Sequence, residues 1–162
     1  MQWLSQVDKV SAHFRERKEL AILEEPLEMT GILRYRAPDY VKKQVILPYR
    51  ESFEVQGDRL FIDTPEAGQR QLSLPGYPAL HAFVESFRAT LAGDLGGLER
   101  YYRVRLDGEA TAWRLRLEPL DQEMAQYVTA IIIRGSNDQV LSIETLETGG
   151  DRSLMTIRPI HE

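Results

Sequence analysis

The chain has 162 residues, 43% of them apolar and 28% charged, and a net charge of −5, the composition of an ordinary globular protein. It contains no cysteine, which removes disulfides, thiolate catalysis and Cys-ligated metals from consideration. The acidic balance argues against general nucleic-acid binding, because a polyanion needs a concentrated positive surface.

No apolar run approaches the roughly 20 residues of a membrane-spanning helix. Met1-Gln2-Trp3 lacks the basic start and apolar block of a secretion signal. The length suits a single domain over residues 1–162, long enough to bury a sizeable core.

Trp3, Val7, Val10 and Phe14 recur at helical spacing and predict an amphipathic helix over 3–14 that covers one end of a sheet. Arg15 to Glu25 continues as a charged first strand, with Leu20, Ile22 and Phe14 as its apolar members. From Pro26 to Ile62 the pattern is a run of strands. Leu27, Met29, Leu33 and Tyr35 share one parity while Glu28, Thr30, Arg34 and Arg36 share the other, the signature of one dry face and one wet face. Ala37-Pro38-Asp39 breaks the run. Tyr40 to Leu47, Ser52 to Gln56 and Leu60 to Ile62 follow, with Gly57-Asp58 as a hairpin signal. No crossover helix separates these strands, so they pair antiparallel as a meander.

A short strand at Gln71 to Leu74 precedes the clearest helix, Pro78 to Ala92. Leu80, Phe83, Val84, Phe87 and Leu91 form its apolar stripe, Pro78 suits its first turn and Gly93 its stop. Leu95 to Arg100 adds a helical turn. Tyr102, Val104 and Leu106, then Trp113, Leu115 and Leu117, alternate with charged residues, and Asp107-Gly108 is read as the hairpin between them. Glu118 to Ala125 is a connection with a helical turn. Tyr127 to Arg134 is the most apolar strand, which predicts a central position. Val140 to Thr148 and Leu154 to Arg158 close the chain as a hairpin around Gly149-Gly150-Asp151. The fold class is therefore mainly β (α+β), a curved antiparallel sheet or unclosed β-barrel whose open side is plugged by helices.

No enzyme signature emerges. His13, His81 and His161 have no partner at metal-ligand spacing. Ser136 lies in RGSND rather than in a nucleophile elbow. Glu24 and Glu25, as strand neighbours, point to opposite faces and do not converge. Gly96-Gly97 lacks the context of a phosphate cradle. The pairs Arg34/Arg36, Arg103/Arg105 and Arg114/Arg116 each place two guanidinium groups on one strand face. They read as a hydrated outer surface or as an anion-attracting one.

The succession Gly31-Ile32-Leu33-Arg34-Tyr35-Arg36-Ala37-Pro38, a strand, Pro48, and Gly57-Asp58-Arg59-Leu60-Phe61 resembles the periplasmic outer-membrane lipoprotein carriers, the LolA-like proteins. The mid-chain helix and the strand-rich second half are similar to that family as well. The resemblance implies an apolar cavity under a helical lid that takes acyl chains of a lipoprotein or lipid. It also implies a monomeric periplasmic protein with its signal peptide removed, an inner-membrane donor, an outer-membrane acceptor, no catalysis and no cofactor. The same fold serves envelope sensors and interaction modules, which is the second reading. Under the resemblance, Leu80, Phe83, Val84 and Phe87 form the lid's inner face. Leu33, Tyr35, Phe53, Val55, Trp113, Leu115 and Leu117 form the sheet's inner face. Two departures stand out: the family's lid-latching arginine before the proline falls on Ala37, and an aromatic shortly after it falls near Lys43. A chain of roughly 16 carbons buried in such a cavity gains on the order of 10 kcal/mol, so a carrier needs a gate to release it.

Overall fold

A computed structural model describes residues 7–160. Eleven antiparallel strands form one sheet that does not close. The first six are β1 (Lys9–Glu19), β2 (Leu27–Arg36), β3 (Tyr40–Leu47), β4 (Glu51–Gln56), β5 (Arg59–Thr64) and β6 (Gly68–Ser73). After a single 3-10 turn at Leu74–Gly76 come α1 (Pro78–Leu91) and α2 (Leu95–Glu99). The second half holds β7 (Tyr102–Glu109), β8 (Ala112–Pro119), α3 (Gln122–Ala125), β9 (Val128–Ser136), β10 (Gln139–Glu147) and β11 (Arg152–Pro159).

The spatial order is β6-β5-β4-β3-β2-β1-β11-β10-β9-β8-β7. Each half is a meander, and β1 zips them together by pairing with both β2 and β11. The edges β6 and β7 stay apart, and the helices that connect them in sequence lie over the concave face.

The elements begin and end for local reasons. Pro78 occupies the first turn of α1, where a missing N–H leaves no bond unmade. Gly93, at φ 67°, stops the helix, a backbone conformation that disfavours residues with a Cβ. Asp94 then accepts from the Gly97 N–H at 2.9 Å and caps α2, while Asp121 caps α3 through the Glu123 N–H at 2.7 Å.

Four expectations are corrected. The predicted helix over 3–14 is β1 from Lys9 onward, and residues 3–6 lie outside the described residues. The charged strand placed at Arg15 to Glu25 stops at Glu19, with Ile22 90% exposed and Glu24 and Glu25 in the connection to β2. The hairpin between β7 and β8 turns at Ala110-Thr111, and Gly108 lies within β7 opposite Trp113. Nor is the most apolar strand central: β9 stands third from the β7 edge, and β1 holds the middle. Its burial comes from cover on both faces. Ile131 and Ile133 lie in the main core, and Ile132, 3% exposed on the outer face, sits between Arg116 and Glu144 on the flanking strands.

The main core joins Phe14, Met29, Val45, Tyr102, Leu115, Leu117, Ile131 and Ile133 to the helical Ala82, Ala89, Leu98 and Met124. A smaller cluster under the start of α1 holds Val55, Leu60, Leu74 and Val84.

Candidate functional site

The concave face is where the sheet and α1 face one another. Every sheet residue expected on the inner face has inward parity, but they divide into two groups. Tyr35, Val55, Trp113, Leu115 and Leu117 are buried, as is Val84 on α1. Leu33, Phe53, Leu80, Phe83 and Phe87 are half-buried and pack against the margins of the two clusters. The space between α1 and the sheet is thus filled by side chains where the first group lies, and its rim is apolar where the second lies.

That rim follows from how α1 packs. Its closest approach to the core uses small residues, Ala82, Ser86 and Ala89, all buried. Because those side chains are short, the phenol of Tyr102 reaches the Ala82 carbonyl and donates to it. The larger Phe83 and Phe87 are displaced to the adjoining flank, where they meet edge to face at 5.1 Å between ring centroids. The helical periodicity identified the aromatic stripe; the small-residue stripe beside it carries the tight contact.

Below this flank, the register aligns Ala12, Leu33, Lys43, Phe53 and Ile62 in one row across β1 to β5. Lys43 interrupts an otherwise apolar row. Its ammonium lies 2.6 Å from Glu16 Oε1 and 5.5 Å from the centroid of the Phe14 ring. Glu16 is only 5% exposed, so its polar atoms need the partner that Lys43 supplies. This pair occupies the floor near the position where the resemblance expects an aromatic residue. Sequence pattern placed Lys43 but gave no sign that Glu16 points inward beside it.

A second polar feature fastens the helix. Arg88 on α1 is 8% exposed, and its guanidinium donates to the Asp39 carbonyl at 3.1 Å and to the Gly57 carbonyl. It also pairs with Glu85 one turn back, and Glu85 lies 3.6 Å from His81 Nε2. Asp39 belongs to the turn between β2 and β3, and Gly57 to the turn between β4 and β5. One side chain therefore ties the lid helix to two hairpin ends. Where the family pattern expects a latching arginine, Ala37 is exposed. Arg88 makes such a tie in the opposite sense, from helix to sheet. Nearby, burial pushes the Tyr35 phenol pKa up, with the carboxylates of Asp39 and Asp8 adding to the effect.

Among the described residues, the candidates for chemistry that the sequence offers do not come together. Among the described residues, no three His, Asp or Glu side chains converge as metal ligands. His13 is exposed on the outer face of β1, Ser136 closes β9, and Glu24 and Glu25 are exposed in a loop. The arginine pairs 34/36, 103/105 and 114/116 all have outward parity. No described helix is long and apolar enough to cross a membrane.

Residues 1–157 match the profile of the family described as "Outer membrane lipoprotein carrier protein LolA-like". Among solved structures, a DUF1329 family protein from Desulfovibrio piger superposes with TM-score 0.51 at 11% identity, covering 97% of this chain and 86% of the other. A LolA superfamily protein from Nitrosomonas europaea gives TM-score 0.48 at 11% identity, with 99% and 91% covered. The MucA/MucB complex structure from Pseudomonas aeruginosa gives 0.49 at 15% identity, with 99% of this chain but 56% of that one covered. No curated protein matches the chain at a comparable level.

Proposed function

The chain belongs to the LolA-like outer membrane lipoprotein carrier family, and from that premise we propose that it is a non-enzymatic, single-domain carrier of acyl chains in the periplasm. The bound species is the acyl portion of a lipoprotein or lipid, taken from an inner-membrane donor and passed toward the outer membrane. The observation that carries this reading is the half-buried apolar rim of Leu33, Phe53, Leu80, Phe83 and Phe87 beside a buried core and beneath a helix whose polar ties to the sheet run through Arg88 and Tyr102. On this reading the buried residues beneath α1 leave the guest to be admitted by movement of the helix, and the arrangement described is the closed form. Binding requires α1 to lift and the chain to replace side-chain contacts along its aromatic flank. The exchange is near balanced: the guest buries methylenes at about 0.8 kcal/mol each, while lid contacts of similar kind are given up. That balance is what reversible carriage needs.

The test is fluorescence of an environment-sensitive fatty-acyl probe. Wild type is expected to bind saturably. Phe83→Asp, at a half-buried position, should weaken binding about tenfold or more with the circular dichroism spectrum retained, since a carboxylate in an acyl site carries a desolvation penalty of several kcal/mol. Normal binding by that variant would remove α1 from the site. Absence of binding by wild type would favour the second reading, an envelope interaction module that uses the same fold without lipid.

A further inference from the structure

The outer face of the sheet carries charge out of proportion to the chain. By register, outward positions hold fourteen of the twenty Lys and Arg residues and eight of the twenty-five acids, leaving that face at +6 and the rest of the chain at −11. An acidic protein has gathered its cations on one side.

The arrangement works against folding. Lys9 stands directly opposite Arg36, Arg34 opposite Lys42, Arg105 opposite Arg116, and Arg114 opposite Arg134. Like charges in facing cross-strand positions destabilise a sheet. Carboxylates partly neutralise Lys42, Arg105 and Arg116, but Arg114 and Arg134 have no ion-pair partner among the described residues. Both are exposed. A groove of about 560 Å³ crosses the middle of this face. Its floor is the Ile157–Phe14–Gly31 row of β11, β1 and β2, and its walls carry His13 and Arg158 on one side and Arg15, Thr30 and Thr156 on the other.

We propose that this face docks on a bilayer containing anionic phospholipid, with headgroup phosphates at the groove and the flanking guanidinium groups. Charge complementarity selects an anionic partner, and the spread of the cations selects a surface. They cover strands from β5 to β7 (Arg59 to Arg103) without forming a single compact pocket. A broad sheet face offers no projecting element to enter a nucleic-acid groove. Polyvalent phosphate attraction of about fivefold in affinity per basic residue near the membrane suits such dispersed charge. Docking by this face leaves the lid side free, and it is independent of whether the concave face takes an acyl chain.

Co-sedimentation with phosphatidylcholine vesicles, with and without phosphatidylglycerol, tests this. The wild-type chain should sediment with the anionic vesicles only and be released when salt shortens the Debye length to about 3 Å. Arg114→Glu with Arg134→Glu should weaken sedimentation about tenfold or more, and Arg34→Gln with Lys42→Gln, on the other half of the face, should weaken it independently of any folding defect in the first variant. Phe83→Asp should sediment like wild type, separating this surface from the acyl site. Equal binding to neutral vesicles would overturn the proposal, as would unchanged binding by both double variants. So would tighter binding to duplex DNA or polyglutamate at equal charge, which would assign the face to a nucleic acid or an acidic protein.

Discussion

The phenol of Tyr102 is 1% exposed and donates to the backbone of α1 at Ala82, so a single hydroxyl holds the lid's small-residue face against β7. Burial pushes its pKa above the ordinary 10.0. The neutral phenol is thus favoured by folding: its contribution is complete below pH 10 and is lost as pH rises from 10 toward the raised folded value. Tyr102→Phe should lower stability by about 1 kcal/mol at neutral pH and, by thermal melting, should flatten the loss of stability that wild type shows above about pH 10. Glu16 and Lys43 give a second residue-scale expectation. Lys43→Met strands a buried carboxylate and should cost about 3 kcal/mol. Replacing both by Met should restore most of it, read by urea denaturation, because well-packed apolar residues commonly match a buried ion pair. The same pair explains why the sequence reads the first part of β1, Lys9 to Phe14, as helix. Val10 and Phe14 are four apart, a spacing common to helix and strand. The alternation that distinguishes a strand runs through Ala12, Phe14 and Glu16, and a charged residue at an inward position hides it. Its partner lies 27 residues away, beyond the reach of local pattern.

Among the elements, α1 was the most legible, because Pro78, the apolar periodicity and Gly93 agree on its limits, and the structure places it at Pro78–Leu91. Its fastening was not legible. Arg88 lies off the apolar stripe and reads as solvated, yet it is buried because two hairpin turns bring free carbonyls to it. Arg88→Met keeps much of the apolar stem but removes the donors. It should destabilise the protein by about 1–3 kcal/mol and speed release of a bound acyl probe in stopped-flow exchange. Slower or unchanged release would mean that the tie is not part of the gate. The β7–β8 hairpin shows another limit of local signals. Gly108, at φ 93°, has the turn residue's conformation, but a Cβ there would lie 2.2 Å from the Ala112 carbonyl oxygen. Close approach of the paired strand requires the glycine, and the chain turns two residues later.

For the whole molecule, the meander, the open curved sheet and the helical cover were all readable from alternation and turn spacing, since each depends on neighbours in sequence. The order in which the halves join was not, because the β1–β11 pairing links opposite ends of the chain. Nor was the extent of filling, which depends on how closely Ala82, Ser86 and Ala89 let α1 descend. The resulting object has a concave side with an apolar rim and a basic outer side, and the proposed carrier role depends on the first of these opening. Thermal melting with a triacylated lipopeptide in excess tests it most directly. A guest that enters only the folded, opened protein at about 100 times its dissociation constant adds about 2.7 kcal/mol, which for a protein of this size raises Tm by about 5–10 °C. The account predicts that rise for wild type and its loss in Phe83→Asp; an unchanged Tm for wild type at saturating lipopeptide would contradict it.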